Sequence, residues 1–296
     1  MSLFLTDPRD LRLSLNDFPL YGVDSYGCEW HVTFQDVSGL FDGVGSTLQT
    51  SEKLMTDGWY GNLPRLQGRT ISIEGHIIGR CTESCVNAWT AFKSVLDTAG
   101  MKLVVQLGDI GRQMQVWQSG SAPLVKWEGV NMLRFSLGLT SLDPCLYGLE
   151  LVSGVSGLPK TSGGMKFPYC FGTCNGSVSP WMWSEDIISG RVSLLNGGNA
   201  SSPVFIRIDG PVVNPQVSHV ESGHVMAFDL TLGINHYVTI NGMNHEILVD
   251  GFDPARGNVV RREWSQAVAG SNEWAFSASE YSNDARLTVS FYPAYL

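Results

Sequence analysis

From residue 190 onward the sequence repeats one pattern, a short apolar segment followed by a turn. The segments "RVSLLN", "PVFIRID", "HVMAFDL", "HYVTI", "HEILVD", "EWAFSAS" and "RLTVSFY" alternate with "NGG", "NP", "LGIN", "NGMN", "DPARGN" and "AGSN". Val, Ile, Phe and Tyr suit a half-buried pleated surface, whereas Gly, Asn, Pro and Asp supply the backbone conformations of tight turns. Strands spaced about ten residues apart with such turns predict an antiparallel sandwich. Leu287, Val289 and Phe291 alternate to one face, so this last strand is expected to dock the C-terminus into that sheet.

The first half is also strand-rich. "RTISIEGHIIG" (69–79) alternates around Ile71, Ile73 and Ile77, and "NMLRFSLGLTS" (131–141) around Leu133, Phe135, Leu137 and Leu139. "MKLVVQLGD" (101–109) and "RQMQVWQSG" (112–120) read as a hairpin turning at Asp109–Gly111. One segment has helical spacing instead. Cys85, Trp89, Phe92 and Leu96 fall on one face, which predicts a helix over 83–98 with a core role for its aromatics. Thr82 or Ser84 can cap its start, and Gly100 can end it.

Between the halves lies "SLDPCLYG" (141–148), with an acid, a proline, a thiol and a phenol in one short stretch. Pro144 cannot donate to a ladder and holds Asp143 extended, so the strand ends there. The stretch therefore reads as a seam between domains spanning 1–148 and 149–296. After it, Gly, Ser and Pro dominate and periodicity fades, so residues 155–190 read as an extended loop or arm.

No catalytic constellation emerges. "HEILVD" has Val249 where a second zinc-binding histidine would stand, "SGVSG" lacks the register of a nucleophile elbow, and "GLPKTSGGMK" orders its Lys and glycines wrongly for a phosphate loop. Glu74, Glu246 and Glu273 are the acids checked for a glycosidase pair, and a solvated strand face explains them as well. "CTESC" and "CFGTC" could supply four thiolates to a structural zinc, but the spacing is looser than a zinc knuckle, and unpaired structural thiols are favoured. We therefore expect no catalytic residue, no metal and no cofactor.

Charge limits the partners. The formal net charge is −9 with 19 basic residues, and the densest basic cluster is Arg261-Arg262, which argues against gripping nucleic acid. No apolar run reaches the roughly 18 residues of a membrane span, and no basic n-region precedes an apolar run at the N-terminus. The expectation is synthesis in a cytoplasm without membrane insertion. Large aromatics in loops favour contact surfaces. "GWYGNLP" offers Trp59 and Tyr60, and "SPWMWS" offers Trp181 and Trp183, as interface candidates.

The order of these pieces resembles the distal tail (Dit) proteins, a minor tail protein family of long-tailed, non-contractile bacteriophages (siphophages). "YGCEWHVTFQDVSGLFD", "GRTISIEGHIIG", the helix "VNAWTAFKSVL", "KLVVQLGD" and "LRFSLGLTSLDPCLYG" run in family order. "NGGNASSPVFIRIDGPVVNPQV", "AGSNEWAFSAS" and "ARLTVSFYPAYL" follow. The resemblance implies a mainly β chain of two sandwich-type domains, the first with one helix and a hairpin, the second galectin-like. It implies a structural, non-enzymatic hub in the virion, at the tail tip: a hexameric ring joining the tail tube protein to a baseplate or tip fibre. A tail-associated lysin or tip protein would bind one face. Tape-measure protein and DNA would pass through its channel without sequence-specific binding. The 155–190 segment departs from a plain two-domain member. A second reading is a carbohydrate-binding module for host-surface adhesion, with His236, Asn241 and Trp274 supplying sugar-binding chemistry.

Overall fold

The structure is a computed structural model, and it describes residues 11–96, 99–120, 122–161 and 187–296. Backbone contacts divide the chain into two units: one of residues up to Leu149 together with Ala294–Leu296, the other of Glu150–Pro293. The first unit is built on β1 (Leu11–Leu15), β2 (Glu29–His31), β3 (Arg69–Ile78), α1 (Thr82–Val95), β4 (Met101–Leu107), β5 (Ile110–Gln118), β6 (Leu124–Gly129), β7 (Met132–Ser141) and β8 (Leu146–Gly148). The order β1-β4-β5-β7-β3-β2 forms its main path, with β6 paired to β7. All of these pairings are antiparallel.

Strand β5 joins two sheets. Its residues from Ile110 to Val116 pair with β4, and Trp117 and Gln118 pair with Thr140 and Leu139 of β7. One strand thus turns a corner of the sandwich. The longest ladder, β3 with β7, runs in unbroken register from Arg69↔Ser141 to Ile78↔Met132. Alternation sends Ile71, Ile73 and Ile77 and, opposite, Leu133, Phe135, Leu137 and Leu139 into the core, as the sequence predicts. The β4–β5 connection is shorter than expected. Leu107 already pairs with Ile110, so the turn is Gly108–Asp109, with Gly108 at φ +58°. A hairpin loop of two residues takes a glycine at its first central position because that site needs positive φ.

Helix α1 buries Cys85, Ala88, Trp89 and Phe92, with Leu96 partly buried at its end. The Trp30 ring lies 5.4 Å from both Phe92 and Phe135, and Phe92 lies 5.5 Å from Trp89. The helix is therefore held by an aromatic cluster. The buried Trp30 indole N–H is satisfied by Asp24 at 2.9 Å. The cap differs from expectation. Cys81, not Thr82 or Ser84, occupies the N-cap, where its side chain accepts from the Ser84 N–H. Helical structure stops at Val95, and Gly100, at φ +111°, serves the turn into β4 instead.

The second unit contains β9 (Val152–Gly157), β10 (Arg191–Asn196), β11 (Phe205–Asp209), β12 (Gln216–His219), β13 (Val225–Phe228), β14 (Tyr237–Asn241), β15 (Glu246–Val249), β16 (Val259–Arg262), β17 (Gly270–Ser277) and β18 (Arg286–Phe291). One sheet runs β9-β18-β11-β14-β15, the other β10-β17-β12-β13-β16. Their inner residues, among them Ile206, Ile208, Val238, Trp274, Phe276, Leu287, Val289 and Phe291, form one core, which makes the unit an antiparallel sandwich. Gly154 on β9 allows close approach: a Cβ there would lie 2.7 Å from Val192 and 3.0 Å from Leu194.

Two expectations change here. Residues 155–157, read as the start of an arm, complete β9, which pairs along its whole length with β18. Its "VSGVSG" hides a strand because small residues suffice where the facing layer approaches closely. The C-terminus also ends elsewhere than expected. Leu287, Val289 and Phe291 dock as predicted, but β19 (Ala294–Tyr295) pairs with Leu146–Tyr147 and belongs to the first unit. There the Arg112 guanidinium stacks 3.4 Å over the Tyr295 ring.

Candidate assembly surface

Between β2 and β3 the chain leaves the core as a ribbon. Ser46–Thr47 pair with Arg65–Leu66, and Thr50–Glu52 pair with Trp59–Gly61. The ribbon's base is closed by Gln67 N–H donating to the Gly45 carbonyl at 2.8 Å and by Gln67 Nε2 donating to Thr47 Oγ1 at 2.6 Å. Near its tip the Lys53 N–H donates to the Gly58 carbonyl at 3.2 Å, and Gly58 takes φ +102°. Both ladders pair only within the ribbon, and every residue of their four strands is exposed. Seven or eight residues per leg reach roughly 25 Å at about 3.3 Å per residue.

The ribbon carries the largest run of uncovered apolar side chains among the described residues. Trp59 is 65 % exposed, Tyr60 64 %, Leu63 89 %, and Leu54 and Met55 stand almost wholly free. Trp59 and Tyr60 are the two interface candidates that the sequence offers here. Leu54, Met55 and Leu63 are not among them, although apolar residues beside Thr-Asp-Gly turn chemistry are a usable signal. A lone two-stranded ribbon is marginal in water, and contiguous exposed apolar surface marks an interaction site. Trp181 and Trp183 lie outside the described residues, as do Cys170 and Cys174 of the second thiol pair.

The seam stretch forms a closed structural network. Asp143 Oδ1 accepts from the Cys145 N–H at 2.9 Å, and its Oδ2 accepts from the Tyr147 hydroxyl. Burial pushes the Cys145 thiol up to about 11, with Asp143 adding to the shift. Burial likewise raises Tyr147, aided by its bond to Asp143. Neither group is a nucleophile at neutral pH. Arg69, only 4 % exposed, closes the network from β3. Its Nε donates to the Pro144 carbonyl at 2.6 Å, and one terminal nitrogen reaches the carbonyls of Asp42 (2.8 Å) and Leu40 (3.2 Å).

The three sugar-binding candidates are not brought together. Trp274 is completely buried on β17, its ring 4.9 Å from His219 and 6.0 Å from Phe291, so it offers no face to a ligand. His236 and Asn241 flank and end β14 in the other sheet. His236 pairs with Asp250 at 2.7 Å, and Asn241 accepts from the Met243 N–H at 2.9 Å to shape a turn. Of the checked acids, Glu74 pairs with Arg134 at 2.6 Å and Glu273 with Arg191 at 3.0 Å, while Glu246 accepts from Asn244 at 3.0 Å. These are exposed strand-surface contacts. Among the described residues no group of three or more His, Cys, Asp or Glu could hold a metal ion.

The fold of two β units, the first with one helix, is shared with solved structures of phage hub and baseplate proteins. The chain matches the crystal structure of the SPP1 Dit protein, described as a paradigm of hub adsorption apparatus in Gram-positive-infecting phages. The match has a TM-score of 0.65 and 10 % identity, and it covers 97 % of this chain and 99 % of that one. Two structures of the phage P2 baseplate in its activated conformation, with Ca and with Sr, also match. Their TM-scores are 0.51 and 0.50 at 11 % and 12 % identity, each covering 95 % of this chain and 97 % of the other. No protein-family model and no curated protein matches the sequence.

Proposed function

We propose that the chain is a structural hub of a phage tail tip, assembling as a ring of identical copies, hexameric by resemblance. The observation that carries this reading is the end-to-end fold likeness to the SPP1 Dit hub, with almost nothing left over on either chain. The ribbon supports the oligomer. Trp59, Tyr60, Leu54, Met55 and Leu63 stay uncovered within one chain, and in the ring they pack on a neighbouring copy. The ring joins tail tube to baseplate or tip fibre, with a tail-associated lysin or tip protein on one face. Tape-measure protein and DNA pass through its channel. An overall charge of −9 favours passage over binding, because DNA is repelled by acidic walls. The carbohydrate-binding reading loses its main support, since a sugar cannot stack on a buried Trp274.

Negative-stain imaging of the purified protein tests the proposal. Closed rings with an axial opening are the expected particles. Compact single chains at every concentration, with no rings on adding tail tube protein, would overturn it.

A further inference from the structure

We propose that Cys28 and Cys85 form a disulfide when the chain folds under oxidising conditions, closing a covalent loop around the ribbon. The argument begins at a glycine. Strand β2 opposes β3 with His31 across from His76, Trp30 from Ile77 and Glu29 from Ile78, so Cys28 comes next, opposite Gly79. On the other side Gly79 N–H donates to the Asn131 carbonyl at 2.9 Å, and the Cys85 thiol donates to that same carbonyl at 3.4 Å. Helix α1 thus places its first buried side chain directly over Gly79.

The missing Cβ of Gly79 leaves a gap, and the two sulfurs share it with the Ser84 hydroxyl, which would lie 2.6 Å from a methyl group there. A methyl group at Gly79 would lie 2.5 Å from Cys85 Sγ and 3.0 Å from Cys28 Sγ. Both sulfurs therefore lie within 3.0 Å of one point. The neighbouring Cys85 thiol also contributes to holding Cys28 in its protonated form. Both residues are fully buried and both are free thiols. A disulfide needs its sulfurs at about 2 Å, so the bond forms by rotation of both side chains, with the Ser84 hydroxyl yielding its place beside Gly79.

The chemistry balances with glutathione disulfide as oxidant. One thiolate attacks it, a mixed disulfide forms and one glutathione leaves. The second thiol then displaces the other glutathione, so two thiols become one disulfide while the oxidant is reduced to two thiols. Burial raises Cys28 and keeps it as a thiol in the folded state, so the exchange occurs during folding or local opening rather than in the closed core. Cys81 is exposed at the helix N-cap, where the Ser84 N–H lowers its thiol; it is the competing partner the experiment must distinguish.

The loop from Cys28 to Cys85 contains the whole ribbon and β3. Tethering the ends of the ribbon-bearing segment for life outside a reducing cytoplasm is the consequence. It rests on the hub reading, whereas the bond itself does not.

The test refolds the full chain from denaturant in a glutathione buffer rich in the oxidised form and maps disulfides by mass spectrometry. Cleavage after Lys, Arg and Glu separates Cys81 from Cys85, because Glu83 lies between them. The expected result is a Cys28–Cys85 linked peptide. The thermal midpoint of the first unit should be roughly 10 °C above that of the reduced protein, as expected for a loop of this length, and Cys28→Ser should abolish the shift. Free thiols at both positions after refolding, or Cys28 joined mainly to Cys81 or Cys145, would overturn the proposal. Solution mass, read separately, reports the ring: linked peptides without rings would remove the hub reading and leave the bond.

Discussion

Replacing Arg69 with leucine should unfasten the seam from the rest of the first unit. The guanidinium is buried and makes two short bonds, to the carbonyls of Pro144 (2.6 Å) and Asp42 (2.8 Å), plus a longer one to Leu40 (3.2 Å). A hydrogen bond from a charged donor contributes about 1.5–3 kcal/mol, and a buried acceptor left without a donor costs about 1–3 kcal/mol. Removing the charge also recovers its desolvation cost, and water reaches the Asp42 carbonyl because that residue is exposed. The net loss should be about 2–4 kcal/mol, confined to the first unit. Native-state hydrogen exchange resolved by peptide is the suitable assay, because it reads the two units separately where a bulk assay merges them. Amides of β3 and β7 should exchange about 30- to 1000-fold faster, while those of β11 and β18 should keep their wild-type rates. Arg69→Lys should recover part of the protection, since an ammonium reaches fewer carbonyls than the planar fork. A change below about 1 kcal/mol, or equal loss in both units, would refute the clamp.

Trp59→Ser with Tyr60→Ser should leave the unfolding midpoint of the single chain within about 0.5 kcal/mol of wild type, because both rings lie outside the core, yet should abolish self-association in light scattering. Trp274→Ala should cost about 3–5 kcal/mol in urea unfolding of the second unit, since the ring fills the centre of its core. His219 is buried against Trp274 and faces Ser222, Asn272, Glu221 and His224; burial holds its pKa below the usual 6.5, with Asn272 and Glu221 opposing. The unfolded state therefore binds more protons just below pH 6.5, so the second unit should lose stability as pH falls through that value, and His219→Gln should flatten the urea-midpoint profile. Gly154→Val should destabilise the second unit by more than about 2 kcal/mol in the same assay, because its side chain would collide with Val192 and Leu194.

Much of the architecture was legible because one physical rule governs it. Alternation in β3 and β7 put Ile71, Ile73, Leu133 and Phe135 inside, and the spacing of Cys85, Trp89 and Phe92 gave the helix face. The rule is blind where side chains are small or the pairing partner is distant. Val152–Gly157 looks like a loop because Ser and Gly carry no burial signal, yet Gly154 is what lets β9 approach β10. Ala294–Tyr295 pairs with residues almost 150 positions earlier, which no local pattern encodes. The assembly surface was half legible. Trp59 and Tyr60 stood out as large rings beside Gly, but sequence alone does not show that they share a ribbon with Leu54 and Leu63. Trp274 shows the opposite error: an aromatic beside Asn and Glu looks available for stacking, and the register turns it inward.

The central claim is that this chain is built to assemble with copies of itself. Light scattering across a concentration series reads that directly. The account predicts a discrete species near six times the chain mass of 32.4 kDa, lost on replacing Trp59 and Tyr60. A strict monomer at every concentration, unchanged by those substitutions and by added tail tube protein, would contradict it.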